Sequence, residues 1–496
     1  MTDLLTRDEY AAIAADLNPP RAAFIDGKFR AGSGGAMTTT NPATGETICE
    51  IAACDASDVD LAVQKAREAF DQGHWSRMHP SDRKDVLIRL CKLITRNRRE
   101  LAVMESLDSG KPIKDCEEID IPETIHCIKW HAEAADKING QTTPSGDDAF
   151  SVIVREPIGV VAAVLPWNFP LMMLGWKIGP ALASGCSVIV KPAEQTSLTA
   201  LRVAELAHEA GVPRGVLQVL PGDGPTVGEP LGRHMDVDMV SFTGSTETGR
   251  RFLSYAAESN LKKVTLECGG KNPAVVLADA ENLDLVAGHV VNGAFWNAGQ
   301  NCSAASRLIV HASVKDALME RILARVRDWK VGDPLNPANH IGSLIDDEHC
   351  NKVSGYLTGD ALLGGKADGN FVGPTIYELD KSDARASEEI FGPVLSVITV
   401  NSTDEAVAVA NDTAYGLTAS VFTANARRAL RTAREIKAGT VTVNCYGEGD
   451  ITTPFGGYKQ SGFGGRDNGL EAHDQYTETK TIWVDLSDPN DADEIT

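Results

Sequence analysis

Cys302 lies in the run GQNCSA, thirty-five residues after Glu267 in LECGGKNP. The thiol has polar and small neighbours, Gly299, Gln300, Asn301 and Ser303; the carboxylate stands beside Cys268, Gly269 and Gly270. A two-stage covalent reaction on a carbonyl needs these two groups. The thiolate adds to the carbonyl carbon, and the carboxylate then activates water to release the product. Asn168, in PWNFP, supplies an amide that can hydrogen-bond the alkoxide as it develops, a contact whose loss typically costs about 10²–10³ in rate. Each residue also has a plainer structural reading: a buried thiol, a cap or salt-bridge carboxylate, an Asn shaping a Pro-bounded turn.

The surrounding pattern predicts the elements that must hold these groups. Apolar runs at 158–165, 187–191, 216–220, 237–242 and 263–267 read as strands. Helical stretches fall between them at 170–184, 197–210, 225–233 and 245–257. Strands apolar on both faces and alternating with helices build a parallel, doubly wound sheet, an α/β dinucleotide-binding architecture. A second alternating segment, 268–460, has strands at 274–277, 306–310, 394–400 and 440–444 and carries Cys302. Before the first sheet, a short helix is expected at 5–17, strands at 23–29 and 50–53, and helices across 58–137. Segment 138–156 alternates around a polar loop, and 480–484 reads as a last strand. The acidic tail SDPNDADEIT, 487–496, is apolar-poor and is expected to be mobile.

Bulk properties exclude several classes. A chain of 496 residues is too long for one core, so two or three domains are expected. A net charge of -22 argues against nucleic acid and anionic membrane as partners, because both would repel it. The start, MTDLLTRDEY, has charges where a signal peptide needs an apolar stretch, and no apolar run reaches the roughly 18–20 residues of a membrane span. A cytoplasmic protein is the expectation. Ten cysteines without a CxxC pair read as reduced thiols, and eleven histidines without HxxxH or HExxH spacing give no metal site.

Two stretches bear on a nucleotide. FTGSTETG, 242–249, follows a strand and opens a helix. Gly244 permits close backbone approach, and Ser245 lies where unpaired N–H groups and the helix dipole suit a phosphate. Ser245 can equally be an N-cap, and both roles can hold together. GDGPTVG, 222–228, has the wrong spacing for a dinucleotide fingerprint and reads as well as an ordinary turn. Lys191 ends a strand at the sheet edge where nucleotides bind, with Glu194 close behind it.

Together with EEIFGPV at 388–394 and PFGGYKQSG at 454–462, these runs resemble the NAD(P)-dependent aldehyde dehydrogenase superfamily, from about Phe24 to about Val484. The resemblance implies residues 1–137 and 157–266 as an NAD-binding domain and 267–460 as a catalytic domain. It implies 138–156 and 461–486 as bridging segments of a homodimer or homotetramer. It makes Cys302 the nucleophile, Glu267 the general base, Asn168 the oxyanion donor beside the Cys302 N–H, and Lys177 an aid to proton transfer. It assigns Pro166, Trp167, Lys191, Glu194, Gly224, Gly244, Ser245, Glu389 and Phe391 to the cofactor. A Glu194 carboxylate that accepts from a ribose hydroxyl and repels a 2′-phosphate favours NAD over NADP. Without the resemblance, Phe391 reads as core and Glu389 as surface.

Phe169, Met173, Trp176 and Trp296 are expected to line the aldehyde channel, and Glu448 and Asp450 to stand as two acids at its mouth. Aromatic walls and acids suit a cationic aldehyde. GDITTPFGGYKQSG and TETKTIWV are most similar to enzymes acting on ω-aminoaldehydes and γ-glutamyl-γ-aminobutyraldehyde. The alternatives are a general aliphatic or aromatic aldehyde dehydrogenase, a coenzyme A-acylating enzyme, against which Glu267 argues, and a silent structural member. Two departures stand out. Cys268 replaces the usual Leu or Ala, either as an inert small hydrophobe or as an oxidisable neighbour. SGFGGR carries an extra glycine, which puts any proton-relay role of Asp467 in doubt.

Overall fold

The computed structural model describes residues 4–487. The expected mobile tail lies outside the described residues, apart from Ser487. Five parallel strands form the centre of the first sheet, in spatial order Leu217–Val219, Ser187–Lys191, Val160–Val164, Met239–Thr243, Lys263–Glu267. Nearly every residue in them is buried. That explains their unbroken Val, Ile and Ala runs: helices cover both faces, so neither face needs a polar side chain. Val160–Val164 comes first in the chain yet lies in the middle of the five. The order therefore reverses beside it, and the crevice outside the carboxyl ends at such a switch point is where ligands bind in this architecture.

The second sheet has six parallel strands, in order Thr375–Glu378, Val394–Val400, Arg307–His311, Pro273–Val276, Thr418–Phe422, Thr440–Val443. The chain crosses from one sheet to the other directly after Glu267, through Cys268–Asn272. A third, antiparallel sheet pairs Ala149–Pro157 with Thr477–Asp485 along nine residues, and Gln141–Thr142 adds at its edge. Its apolar side chains are not covered: Phe150, Ile482, Trp483 and Val484 are all exposed. Among the described residues, no helix is long and apolar enough to cross a membrane.

Two expected elements differ in form. The strand expected at 23–29 is a hairpin, Ala23–Ile25 against Lys28–Arg30. Asp26 and Gly27 both take positive φ, 54° and 71°, which is the backbone a two-residue turn between twisted strands needs. The helix expected at 225–233 opens as a wider turn over Gly224–Gly228 before Glu229–Arg233 becomes α-helical. Pro230 has no N–H to bond the Thr226 carbonyl, so the ordinary four-residue ladder cannot form there.

Helix Pro170–Ser184 links fold to site. Pro170 starts it, where a missing N–H costs nothing, and Gly185 ends it at φ 102°. Met173, Trp176 and Lys177 are three and four residues apart and so share one face.

Candidate active site

Cys302 follows a backbone turn that few sequences can form. Asn297, Ala298 and Gly299 take positive φ in succession, at 52°, 55° and 67°. A Cβ on Gly299 would stand 2.2 Å from the Gly392 carbonyl oxygen, so only glycine lets these two backbones meet. The Cys302 carbonyl accepts from Asn272 Nδ2 at 2.7 Å, and a Cβ on Gly270 would lie 2.5 Å from it. The run CGGKN is therefore glycine-rich because it packs against the nucleophile's own backbone.

Asn168 enters from the first sheet, just beyond Val160–Val164. Its Nδ2 donates to the Gln300 carbonyl at 2.9 Å, and its own carbonyl accepts from Asn297 Nδ2 at 3.0 Å. The amide is thus fastened to the turn before Cys302. Its second N–H remains for the cavity that it lines.

Glu267 ends the strand Lys263–Glu267 and is paired in register with Thr243. Its Oε2 is buried, with no hydrogen-bond partner among the described residues. Burial pushes its carboxyl well above the ordinary range. Asp467 pushes the same way, while Lys177 and Arg466 oppose both. A carboxyl raised in this way is a stronger base, once ionised, than an ordinary exposed carboxylate, which suits a general base. Burial also raises the Cys302 thiol, followed by the carboxylates of Glu448, Glu267 and Glu389; the Ser303 backbone N–H works against them.

All three groups open on one cavity of about 550 Å³. Pro166, Trp167, Gly244 and Ser245 line its side at the switch point of the first sheet. Ser245 caps helix Thr246–Ala257 through Thr248 N at 3.2 Å while also facing the cavity, so both of its expected roles are geometrically open. Glu389 and Phe391 line it as well. Glu389 accepts from Gly270 N at 2.7 Å, and Phe391 meets Trp167 edge-on with ring centres 5.4 Å apart. Phe391 is thus only half-buried, and Glu389 faces the cavity, unlike the core and surface positions that spacing alone suggests.

The other end of the cavity is aromatic. Phe169 and Trp296 have ring centres 5.2 Å apart, as do Trp176 and Phe455, and Met173 completes this wall. Lys191, Glu194 and Gly224 lie off the cavity. Lys191 Nζ reaches Glu194 Oε1 at 3.1 Å, forming a pair at the carboxyl edge of the sheet. Gly224 is exposed, with open space where a side chain would be.

Two expectations need correction. Glu448 and Asp450 do not stand together as two acids at the mouth. Asp450 is exposed at the rim, whereas Glu448 turns inward and accepts from the Ser303 hydroxyl, next to the thiol. Loop glycines at 447 and 449, with φ of 157° and 93°, let the chain make that turn. Nor does the extra glycine displace Asp467. Gly464, at φ 81°, passes close to the Val264 carbonyl, and Asp467 reaches Lys177 Nζ at 2.7 Å with both side chains buried. Lys177 therefore acts on the cavity through Asp467, which lines it. Cys268 is buried beside Glu267, with its sulfur close to Gly249, and also lines the cavity; burial pushes its thiol up to about 12.

Sequence reasoning missed Ile119, just before helix Ile121–Ala134, and Glu123 and His126 at its start, which reach the cavity. It also missed Tyr446, and it named Ser303 only as a polar neighbour of the thiol. Nothing local marks 119–126, because only the packing of that helix on Pro170–Ser184 brings it to the site.

Residues 29–482 match the aldehyde dehydrogenase family. The chain is similar to the aminoacetaldehyde dehydrogenase of Pseudomonas aeruginosa, 62% identical over 98% of this chain and 100% of that one. Among solved structures it is similar to the indole-3-acetaldehyde dehydrogenase of P. syringae in complex with NAD+, with TM-score 0.96 and 46% identity over 97% of this chain and 100% of that one. It is equally similar in fold to the γ-glutamyl-γ-aminobutyraldehyde dehydrogenase of Burkholderia cenocepacia, with TM-score 0.96 and 45% identity over 97% and 100%. With a thiol, a buried carboxylate and an amide meeting on one cavity, and with matches of this length and identity, the chain belongs to the aldehyde dehydrogenase family.

Proposed function

We propose that the protein oxidises an aldehyde bearing a distant amino group, an ω-aminoaldehyde or γ-glutamyl-γ-aminobutyraldehyde, to its carboxylic acid, with NAD as oxidant. One observation carries the substrate class: the cavity that holds Cys302 is also lined by Glu123, Asp450 and Glu448, drawn from two separate segments of chain. Acids gathered there from distant parts of the sequence favour an ammonium group, and the aromatic wall suits the methylenes between it and the aldehyde. The relative named for aminoacetaldehyde supports the same class.

The residues present fit a dinucleotide. Gly244 must be glycine, since a Cβ there would stand 2.6 Å from the Phe242 ring, and this keeps the helix N-terminus open to a phosphate. Lys191 and Glu194 would hold the adenine ribose, with Gly224 nearby. Glu389 and Phe391 would hold the nicotinamide end, with Pro166 and Trp167 beside it. The relative solved with NAD+ supports that assignment. When bound, the dinucleotide supplies the hydride acceptor that leaves a thioester on Cys302.

The rest of the mechanism belongs to the chain. The Cys302 thiolate adds to the aldehyde carbon, and Asn168 Nδ2 donates to the oxygen as it gains charge. Glu267 then takes a proton from water. The resulting hydroxide attacks the thioester, the acid leaves, and the thiolate returns. Lys177 and Asp467 set the charge around Glu267. In this reading 1–137 and 157–266 bind the nucleotide, 267–460 carry the chemistry, and 138–156 with 461–486 bridge subunits. The uncovered apolar face at Phe150, Ile482, Trp483 and Val484 supports such bridging.

The following outcomes are expected. Cys302→Ala abolishes NADH formation while NAD binding stays within a few-fold, and Glu267→Gln gives a burst of up to about one NADH per site before stalling. In the parent enzyme thioester hydrolysis rises with pH, because the raised Glu267 carboxyl is a base only once its proton is lost; steady turnover of Glu267→Gln at the parent rate would require another base. Glu194→Gln brings NADP use closer to NAD use in initial-rate assays, and an unchanged ratio would place cofactor choice elsewhere. Glu123→Gln with Asp450→Asn lowers kcat/KM for 4-aminobutanal by roughly 5- to 150-fold, the scale of a lost hydrogen bond to a charged group, and spares butanal. Equal losses on both aldehydes would leave a general aldehyde dehydrogenase. Finally, Trp483→Asp shifts the sedimentation coefficient toward that of a single chain; an unchanged value would put the subunit contact on another face.

A further inference from the structure

We propose that Glu448 is a positioning residue that couples capture of a substrate's distant ammonium group to ionisation of the Cys302 thiol. The proposal rests on the reading of Cys302 as nucleophile and of the substrate as cationic.

The geometry is specific to this loop. The Ser303 hydroxyl donates to Glu448 Oε1, and Ser303 directly follows Cys302. The same hydroxyl lies 2.9 Å from Asn301 Oδ1, and Asn301 Nδ2 donates to the Tyr446 hydroxyl at 3.0 Å. Both neighbours of the nucleophile are thus tied to one loop, by Tyr446 at its root and by Glu448 two residues on. Tyr446 is seated on helix Leu283–Phe295, where a Cβ on Gly293 would lie 2.8 Å from its ring. The carboxyl therefore does not swing freely at the mouth. It is held against the residue whose neighbour must ionise.

A carboxylate held there opposes a second negative charge on the sulfur, and scarce water makes the opposition stronger. Of the charged groups around the thiol, Glu448 raises it most. Glu123 and His126 face Glu448 from helix Ile121–Ala134, Asp450 from its own loop, and Cys302 and Tyr446 beside it. Glu267, Glu389 and Asp467 line the same cavity. His126, His349 and Lys352 are the lining residues that can carry positive charge; His349 packs against Trp167 and Phe391, and Lys352 acts on Glu389, away from Glu448. Among the described residues, no lysine or arginine is paired with Glu448. An ammonium drawn to this acidic corner supplies the counter-charge. The S–H bond then breaks more readily and the proton passes to water. A cationic aldehyde thereby primes the sulfur that attacks it, whereas a neutral aldehyde of equal length does not.

The test is the rate at which iodoacetamide alkylates Cys302 in the full-length protein as pH is varied. The thiolate displaces iodide to form the new S–C bond. Peptide mass spectrometry assigns the label, and Cys302→Ala serves as the blank. Propylammonium chloride is the probe, with 1-propanol in sodium chloride of equal ionic strength as control. Propylammonium should raise the rate near pH 7 by about tenfold and move the midpoint of the pH profile downward; propanol should do neither. Glu448→Gln should start at the raised rate and ignore the amine, and Glu448→Asp should keep the response. An unmoved midpoint in both the amine-treated parent and Glu448→Gln overturns the proposal; if Glu448→Gln does not fold, the parent's response to the amine decides alone. If propylammonium competes with 4-aminobutanal in turnover yet leaves the midpoint in place, the coupling fails while the cationic reading stands. If it does not compete, and 4-aminobutanal is used no better than butanal, the cationic reading fails and takes the proposal with it.

Discussion

The cost of charge in a poorly hydrated cavity governs this site. In the proposed mechanism Cys302 and Glu267 must both become anionic, and burial opposes each of them more than any neighbouring charge does. Much of the surrounding structure offsets that opposition. Asn168 offers a donor where negative charge appears. Lys177 and Arg466 favour the Glu267 anion, against Asp467, with which Lys177 is buried as an ion pair. Such a buried pair contributes little net stability, so its place in the fold is better explained by the potential that it sets around Glu267.

The second demand is rigidity at close range. Glycines at 270 and 299 let backbone segments from different elements approach the Cys302 and Gly392 carbonyls to distances that no Cβ would permit. Glutamate 267 is likewise approached by the backbone at Gly456, where a Cβ would stand 2.6 Å from its Oε1. The glycine-rich motifs are packing solutions as much as binding ones. They let two separate sheets deliver their strand ends to a common centre.

Much of this was legible in the sequence, for identifiable reasons. The five strands of the first sheet are buried on both faces, so their apolar runs stand out, and Val394–Val400 and Lys263–Glu267 lie where the pattern places them. Cys302, Glu267 and Asn168 sit at turns of unusual composition, and the structure brings all three onto one cavity. Three features were illegible because they depend on long-range packing. Glu123 and His126 lie on an ordinary helical stretch, and only its contact with Pro170–Ser184 brings them to the cavity. The inward turn of Glu448 depends on Ser303, 145 residues away. Asp467 was doubtful because an inserted residue shifts a motif, and the sequence does not show its contact with Lys177, 290 residues away.

The contact between Gly299 and Gly392 has a mechanical consequence. Phe391, on the nucleotide side of the cavity, is the immediate neighbour of a residue whose carbonyl touches the turn that carries the nucleophile. Phe391 also takes a positive φ, 60°, and is wedged against Trp167. Backbone in van der Waals contact on one side and rings on the other leave no slack between these parts. Under the proposed nucleotide assignment, Phe391 and residues 297–302 are thus joined by direct packing, with no hinge between them.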